Sequence, residues 1–323
     1  MPRILVPDPI HADGLALLRA TPGIELDADG PLTDANRAQR LAAADGMIVR
    51  GLRVDTGLLQ AAPRLRFVCR HGVGYDNVDV PALTARGVLL AVTPEANAAS
   101  VAEHALMLML ATARQLVGFN AGVRRGEWRV PGASATFDLA GRTVLLLGFG
   151  RIGIRVARLC TAFGMRVLVH DPHIRGSTIR AAGCEPVRDR AAGLAAADIV
   201  SLHCPSNEQT RRMVDAAFLA QMRAGAVLIN TARGTLVDEA ALEAALRSGH
   251  IAAAALDVLH DEPMREPVPL LQLPNVLLTP HVAASTAQGL HRMGLASAEN
   301  TIAFFEGRLD VEAMINPEAL RRG

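Results

Sequence analysis

The sequence predicts an α/β protein built from two doubly wound parallel-sheet units in tandem. Three observations carry this expectation. Short β-rich runs alternate with alanine-rich helical runs from residue 3 onward. The alternation breaks at 124–141 and starts afresh at Arg142. The 323 residues, half of them apolar, are enough for two cores of ordinary size.

Taken in order, RILVP (3–7) reads as a buried strand and ADGLALLRA (12–20) as a helix. GMIVR (46–50) and RFVCR (66–70) read as further strands. SVAE (100–103) has the form of a capping box, with Ser100 opening a helix and Glu103 reaching back. The HALMLMLATARQL that follows is apolar on nearly all sides, so this helix is expected to be buried between domains or subunits. RRGEWRVPGASATFDLAG (124–141), rich in Gly, Pro and charge, reads as a long surface connection. In the second series TVLLLG (143–148), MRVLVHD (165–171), DIVSLHCP (198–205), AVLINTA (226–232), AAALDVL (253–259) and NVLLTP (275–280) are strands. IGIRVARLCTAFG (152–164) and VDEAALEAALRSGHI (237–251) are helices among them.

Composition excludes several classes of partner. Lys plus Arg number 33 and Asp plus Glu 32, a net charge of +1, so neither a nucleic-acid nor a membrane-surface partner is expected. The four cysteines (Cys69, Cys160, Cys184, Cys204) form no C-x-x-C pair, so no metal site is expected and a reducing compartment is. MPRILVPDPI lacks the pattern of a secretory leader. The longest apolar stretch, ALMLMLATA (105–113), has nine residues, against about 20 for a membrane span. The expectation is a cytoplasmic protein.

Residues 148–153 read GFGRIG, a G-x-G-x-x-G between a strand and a helix. A glycine hexapeptide alone is a weak signal; this context strengthens it. Gly148 permits the tight turn. Gly150 lets the backbone approach a pyrophosphate seated on the helix N-terminus, and Gly153 allows close packing. Asp171 ends the next strand, 18 residues after Gly153, where a carboxylate accepts both adenosine ribose hydroxyls and repels a 2′-phosphate. NAD is therefore favoured over NADP, although Arg175 nearby is suited to a 2′-phosphate. The other reading of Asp171 is a turn residue before Pro172.

A nicotinamide enzyme acting on an alcohol needs a group that moves a proton as the hydride moves. Histidine suits that task, and a carboxylate beside it holds the ring and stabilises its protonated form. Arginine binds a carboxylate through its planar fork. Arg233, Glu262 and His281 each follow a predicted strand, at the edge where open parallel sheets bind ligands. Singly, each is more often a surface charge, a loop carboxylate or a packed imidazole. Together behind a dinucleotide turn they point to a site.

Several stretches then resemble the D-isomer-specific 2-hydroxyacid dehydrogenases, a family that includes D-3-phosphoglycerate dehydrogenase and glyoxylate/hydroxypyruvate reductases. They are RHGVGYDNVDV (70–80), NAASVAEHAL (97–106), GRTVLLLGFGRIGIRVA (141–157), LHCP (202–205), NTARGTLVDEAAL (230–242), LDVLHDEP (256–263) and TPHVAAST (279–286). The resemblance implies that His281 is the acid/base, Glu262 its partner and Arg233 the clamp on the substrate carboxylate. It assigns the cofactor to Arg151, Ile152, Asp171, Cys204, Pro205, Thr231 and Ala232, and has Asp257 accept from the nicotinamide carboxamide. Ala283 and Ala284 leave room for nicotinamide and substrate, and Val73 and Gly74 offer N–H groups to the substrate carboxylate. Arg50 and Arg70 fall where phosphoglycerate dehydrogenases carry arginines near the substrate phosphate, which implies a second substrate anion; surface or salt-bridged roles are the alternative.

The family architecture implies Rossmann-like and flavodoxin-like units with the active site in the cleft between them. Residues 1–97 with 288–323 would form the substrate-binding domain and 98–287 the NAD-binding domain. It also implies a homodimer supported by the helix from Ser100, with Trp128 packing on a neighbour or anchoring its own loop. The expected activity is an NAD-dependent D-2-hydroxyacid dehydrogenase, on a dianionic acid or on hydroxypyruvate or glyoxylate. The competing readings are an NAD(H)-sensing corepressor-like protein and a formate- or phosphite-type dehydrogenase.

Overall fold

A computed structural model describes residues 1–129, 136–264, 266 and 268–321. The chain divides into two compact units, Met1–Ala98 with Ala284–Gly323 and Ala99–Ala283.

The first unit holds β1 (Arg3–Leu5), α1 (Ala12–Ala20), β2 (Glu25–Asp27), α2 (Arg37–Ala43), β3 (Gly46–Val49), α3 (Thr56–Ala61), β4 (Phe67–Arg70), α4 (Val80–Ala85) and β5 (Leu89–Ala91). Its strands are all parallel, in the order β2-β1-β3-β4-β5, the flavodoxin-like arrangement. Both faces of such a sheet are covered, which is why GMIV and FVC read as unbroken apolar runs. The C-terminal segment returns to this sheet. Asn316, fully buried, accepts the Leu90 N–H at 2.7 Å and donates to the Val88 carbonyl, closing the β5 edge.

The second unit holds α5 (Ala98–Ala113), which begins at the boundary, and α6 (Leu116–Arg124), β6 (Thr143–Leu147), α7 (Arg151–Ala162), β7 (Arg166–His170) and α8 (Gly176–Ala181). Then come β8 (Glu185–Pro186), α9 (Arg190–Ala196), β9 (Ile199–Leu202), α10 (Ala216–Gln221), β10 (Ala226–Asn230), α11 (Glu239–Arg247), β11 (Ile251–Leu256) and β12 (Val276–Leu278). The seven parallel strands run β12-β11-β10-β9-β6-β7-β8, a Rossmann order extended by one strand. The order reverses between β6 and β9, the switch point at which open parallel sheets generally bind ligands. The chain re-enters the first unit and forms α12 (Ala287–Phe305), whose Ala298 and Ile302 pack with Ile4, Ile48 and Phe67.

Aspartates set many helix starts. Asp55, Asp79, Asp189, Asp215 and Asp238 each accept a backbone N–H from the first turn of the helix that follows. Asp238 and the positive φ of Gly249 confine α11 to fewer residues than the sequence pattern predicts. One expectation fails: α5 begins at Ala98, so Ser100 lies inside its first turn and is not the cap. Of the 124–141 connection, residues 130–135 lie outside those described. Among the described residues, no single helix is long and apolar enough to cross a membrane.

Candidate active site

The glycine turn follows β6 at the switch point. Gly148 has φ +103°, and a Cβ there would stand 2.7 Å from the His203 carbonyl carbon after β9. A Cβ on Gly153 would stand 2.4 Å from the Gly148 carbonyl oxygen, so helix α7 is pressed against the turn itself. Gly150, the residue before α7, would meet nothing within 4 Å. Two glycines are thus demanded by the fold, and the third leaves open space at a helix N-terminus. Arg151 and Ile152 open that helix, Arg151 exposed and Ile152 partly buried.

Asp171 stands past the end of β7. Its Oδ2 accepts the Phe149 N–H at 2.8 Å and its Oδ1 the His173 N–H at 2.8 Å. The carboxylate is fixed against the turn, and each oxygen keeps lone pairs for a ribose. Cys204 lies close enough to feel it. Burial pushes the Cys204 thiol up to about 11, against a backbone hydrogen bond, and the Asp171 charge adds to the rise. The thiol therefore stays protonated near neutral pH. Pro205 beside it is exposed and its carbonyl accepts the Thr210 hydroxyl.

At the end of β10 the fully buried Asn230 donates to the Arg233 carbonyl at 2.9 Å and accepts the Ala232 N–H at 3.0 Å. This clamps the Thr231–Arg233 turn. Thr231 Oγ1 is buried and has no hydrogen-bond partner among the described residues, a hydroxyl that a polar ligand would satisfy. The next residue, Gly234, is locked to the neighbouring loop: a Cβ there would lie 1.9 Å from the Leu259 carbonyl carbon.

That loop carries Glu262, whose Oε1 accepts the Leu259 N–H at 2.7 Å. Its Oε2 lies 2.5 Å from His281 Nδ1. An ionised carboxylate only accepts, so Nδ1 carries the proton and Nε2 is left for a substrate. The His281 side chain is 52% exposed and Glu262 33%. His281 has φ +52°, a left-handed conformation uncommon outside glycine. Asp257 holds it there. The Asp257 carbonyl accepts the His281 N–H at 2.7 Å, and its carboxylate accepts the Val282 and Ala283 N–H groups, each at 2.9 Å.

Burial works to raise the Asp257 pKa. Hydrogen bonds from His104, Thr279, Val282 and Ala283 overcome it and hold the carboxyl below its ordinary value. Thr279 Oγ1 donates to Asp257 at 2.6 Å, and His104 Nε2 lies 3.1 Å from that hydroxyl. The Asp257 side chain is fully buried and carries the His281 turn. Ala283 is buried with it and Ala284 is partly buried.

The first unit collects a second set of residues at its own strand ends. Arg70 pairs in register with Val49, so Arg50 and Arg70 emerge on neighbouring strands. One oxygen of Asp8 accepts the N–H groups of Arg50, Gly51 and Leu52 at 2.7, 2.8 and 3.1 Å and fixes the loop. Arg70 donates to the His71 carbonyl. Burial pushes the His71 imidazole down to about 4, and the Arg50 and Arg70 charges add to that. Val73 and Gly74 follow, both partly buried. Arg233, Glu262 and His281 therefore belong to one unit and Arg50, Arg70, Val73 and Gly74 to the other.

Residues 106–283 match the model for the NAD binding domain of the D-isomer specific 2-hydroxyacid dehydrogenases. The chain belongs to that family. It is 41% identical over 307 residues to D-3-phosphoglycerate dehydrogenase of Mycobacterium leprae, covering 93% of this chain and 56% of that protein. It is 37% identical to a glyoxylate reductase of Korarchaeum cryptofilum, covering 99% and 97%. The crystal structure of the TT0316 protein of Thermus thermophilus superposes with a TM-score of 0.86 at 35% identity, covering 97% and 99%. The chain spans little more than half the length of the phosphoglycerate dehydrogenases it matches. The residues present fit NAD: a glycine turn with open space, a fixed carboxylate beyond β7 and an unsatisfied buried hydroxyl at Thr231.

The sequence reading missed His104, Thr279 and Asp8, which touch the site only through other groups. The signal for His104 was present: an imidazole inside an apolar helix needs a buried partner.

Proposed function

We propose that the protein is an NAD-dependent D-2-hydroxyacid dehydrogenase that also runs as a 2-keto acid reductase. The Glu262–His281 pair is the observation that carries this reading. Bound nicotinamide supplies or takes the hydride at the substrate C2. In the reductive direction His281 Nε2 gives its proton to the C2 oxygen, and Glu262 stabilises the ring while it is charged. Arg233 clamps the substrate carboxylate, helped by the Val73 and Gly74 N–H groups. Arg50 and Arg70 take a second anion, such as a phosphate, sulfonate or second carboxylate. Their adjacent emergence and their shared effect on His71 support this assignment. The phosphoglycerate dehydrogenases among the relatives point the same way.

Residues 1–97 with 288–323 serve as the substrate domain and 98–287 as the cofactor domain. Asp171 makes NAD preferred over NADP. Four scattered single cysteines with no C-x-x-C pair support a cytoplasmic location. The working form is a homodimer.

The test is NADH oxidation with hydroxypyruvate, glyoxylate, phosphohydroxypyruvate and sulfopyruvate. We expect turnover with at least one and a loss of about 10²- to 10⁴-fold in kcat for His281→Ala. NADH binding without turnover of any keto acid would refute the enzyme reading. Full activity in His281→Ala would refute the mechanism. An Arg50→Ala variant that keeps its KM for a dianionic acid would remove the second-anion subsite.

A further inference from the structure

We propose that His11, Asp13 and His291 form a binding site for a borderline divalent transition-metal ion. Two glycines build it. A Cβ on Gly14 would lie 2.4 Å from the Gly294 carbonyl oxygen, and one on Gly294 would lie 2.8 Å from the His11 Cβ. Helices α1 and α12 therefore cross backbone to backbone, and the crossing presses two histidines together. His11 caps α1, its Nδ1 accepting the Asp13 N–H at 3.3 Å. His291 belongs to the early turns of α12. The two ring centroids are 4.8 Å apart, edge to face. Asp13 Oδ2 completes the group, 3.0 Å from His291 Nε2 and 3.6 Å from His11 Nδ1. One ligand atom from each residue lies within 4.8 Å of the other two.

A tetrahedral ion with bonds of about 2.1 Å holds its ligands about 3.4 Å apart. The side chains of His11, His291 and Asp13 are 36, 42 and 59% exposed, so small rotations close the remaining gap. Binding exchanges the long hydrogen bond from the Asp13 N–H to His11 Nδ1 and the 3.0 Å contact between His291 Nε2 and Asp13 Oδ2 for coordinate bonds. Two imidazoles and a carboxylate suit Zn²⁺, Co²⁺, Ni²⁺ or Cu²⁺; Mg²⁺ and Ca²⁺ prefer oxygen ligands throughout. Water fills the open positions. The role follows from the chain path. Helix α1 precedes the inserted second unit and α12 follows it. The ion staples the two passes of chain that make up the first unit and takes no part in the reaction.

The experiment titrates the full chain, stripped by a chelator, with ZnCl₂ by calorimetry near neutral pH, and follows Tm in parallel. We expect one ion per chain, a rise in Tm, and a visible Co²⁺ spectrum. His291→Ala should abolish all three. Asp13→Asn, which keeps the side-chain shape, should weaken binding about tenfold or more with an unchanged circular dichroism spectrum. Absence of saturable binding in the micromolar range overturns the proposal. So does equal affinity and stoichiometry in the wild type, His291→Ala and Asp13→Asn, since the ion would then sit elsewhere and the cluster would be an ordinary His–Asp ion pair.

Discussion

His281 shows how a single residue is made ready. Its ring is held by Glu262, its backbone sits at φ +52°, and Asp257 ties down the two residues after it. Replacing Glu262 by Gln keeps an acceptor at the same place and removes the charge. We expect kcat to fall about ten- to a hundredfold, with KM and Tm little changed; an unchanged kcat would show that the carboxylate charge is idle. His71 is a second histidine shaped by its surroundings. Its ordinary value is 6.5, and burial with the Arg50 and Arg70 charges brings it to about 4 in the folded state. Between those values the unfolded chain binds a proton that the folded chain refuses. The stability this neutral imidazole contributes is complete above about pH 6.5 and is lost as pH falls toward 4. His71→Asn should therefore reduce the drop in unfolding free energy between about pH 7.5 and pH 5 by about 2 kcal/mol. His203, pushed down to about 4 by burial, keeps part of the drop in place. Denaturant titrations at the two pH values measure the difference, and equal drops in variant and wild type would count against a buried neutral His71.

At the scale of elements, the three glycines of the turn make separable demands. A methyl at Gly150 meets no protein atom, whereas one at Gly153 meets the Gly148 carbonyl at 2.4 Å. Gly150→Ala should keep its Tm and lose NADH affinity, because the methyl occupies the space a pyrophosphate needs. Gly153→Ala should lose stability, by about 1–3 kcal/mol, because helix α7 must move off the turn. Differential scanning calorimetry and NADH fluorescence titration separate the two; a Gly150→Ala variant that binds NADH normally would remove the turn from the cofactor site. The longer strands and the helices α1, α5, α7 and α11 were legible because their apolar runs are continuous or periodic; α12, the longest of the described helices, was not read from its own residues. The strands β2, β5 and β8 were not, being only two or three residues long, and β2 and β8 lie at sheet edges where apolar patterning is weak. The start of α5 was misread because SVAE has the spacing of a cap while the helix begins at Ala98. At the site, Glu262 and His281 were legible as residue types at strand ends. The His104–Thr279–Asp257 chain behind them was not, since it is a contact between α5 and the strand ends that no local spacing encodes.

At the scale of the whole molecule, several large apolar side chains close in sequence are left exposed by the chain's own fold. Leu116, Val117 and Val123 of α6 are 57, 58 and 46% exposed, Met107 of α5 is 41% exposed, and Trp128 is 84% exposed. Scattered exposed apolar residues are ordinary, but these five fall within two successive helices and the turn after them. The rest of α5 faces inward: Ala105, Leu108 and Met109 lie in the core cluster with Val144 and Leu146 of β6. Helix α5 is thus anchored on the sheet, while Met107 and three apolar side chains of α6 lie exposed on the single chain. A second copy of the chain is the occupant the homodimer reading requires, and an isologous contact would bury the same residues twice. Sedimentation velocity at micromolar concentration should give a dimer. A charge on each copy at this patch must be desolvated without an opposite partner, a cost of several kcal/mol for the pair. Val117→Lys should therefore run as a monomer with an unchanged circular dichroism spectrum. A wild type that sediments as a monomer, or a Val117→Lys variant that remains dimeric, would place the subunit contact elsewhere or remove it.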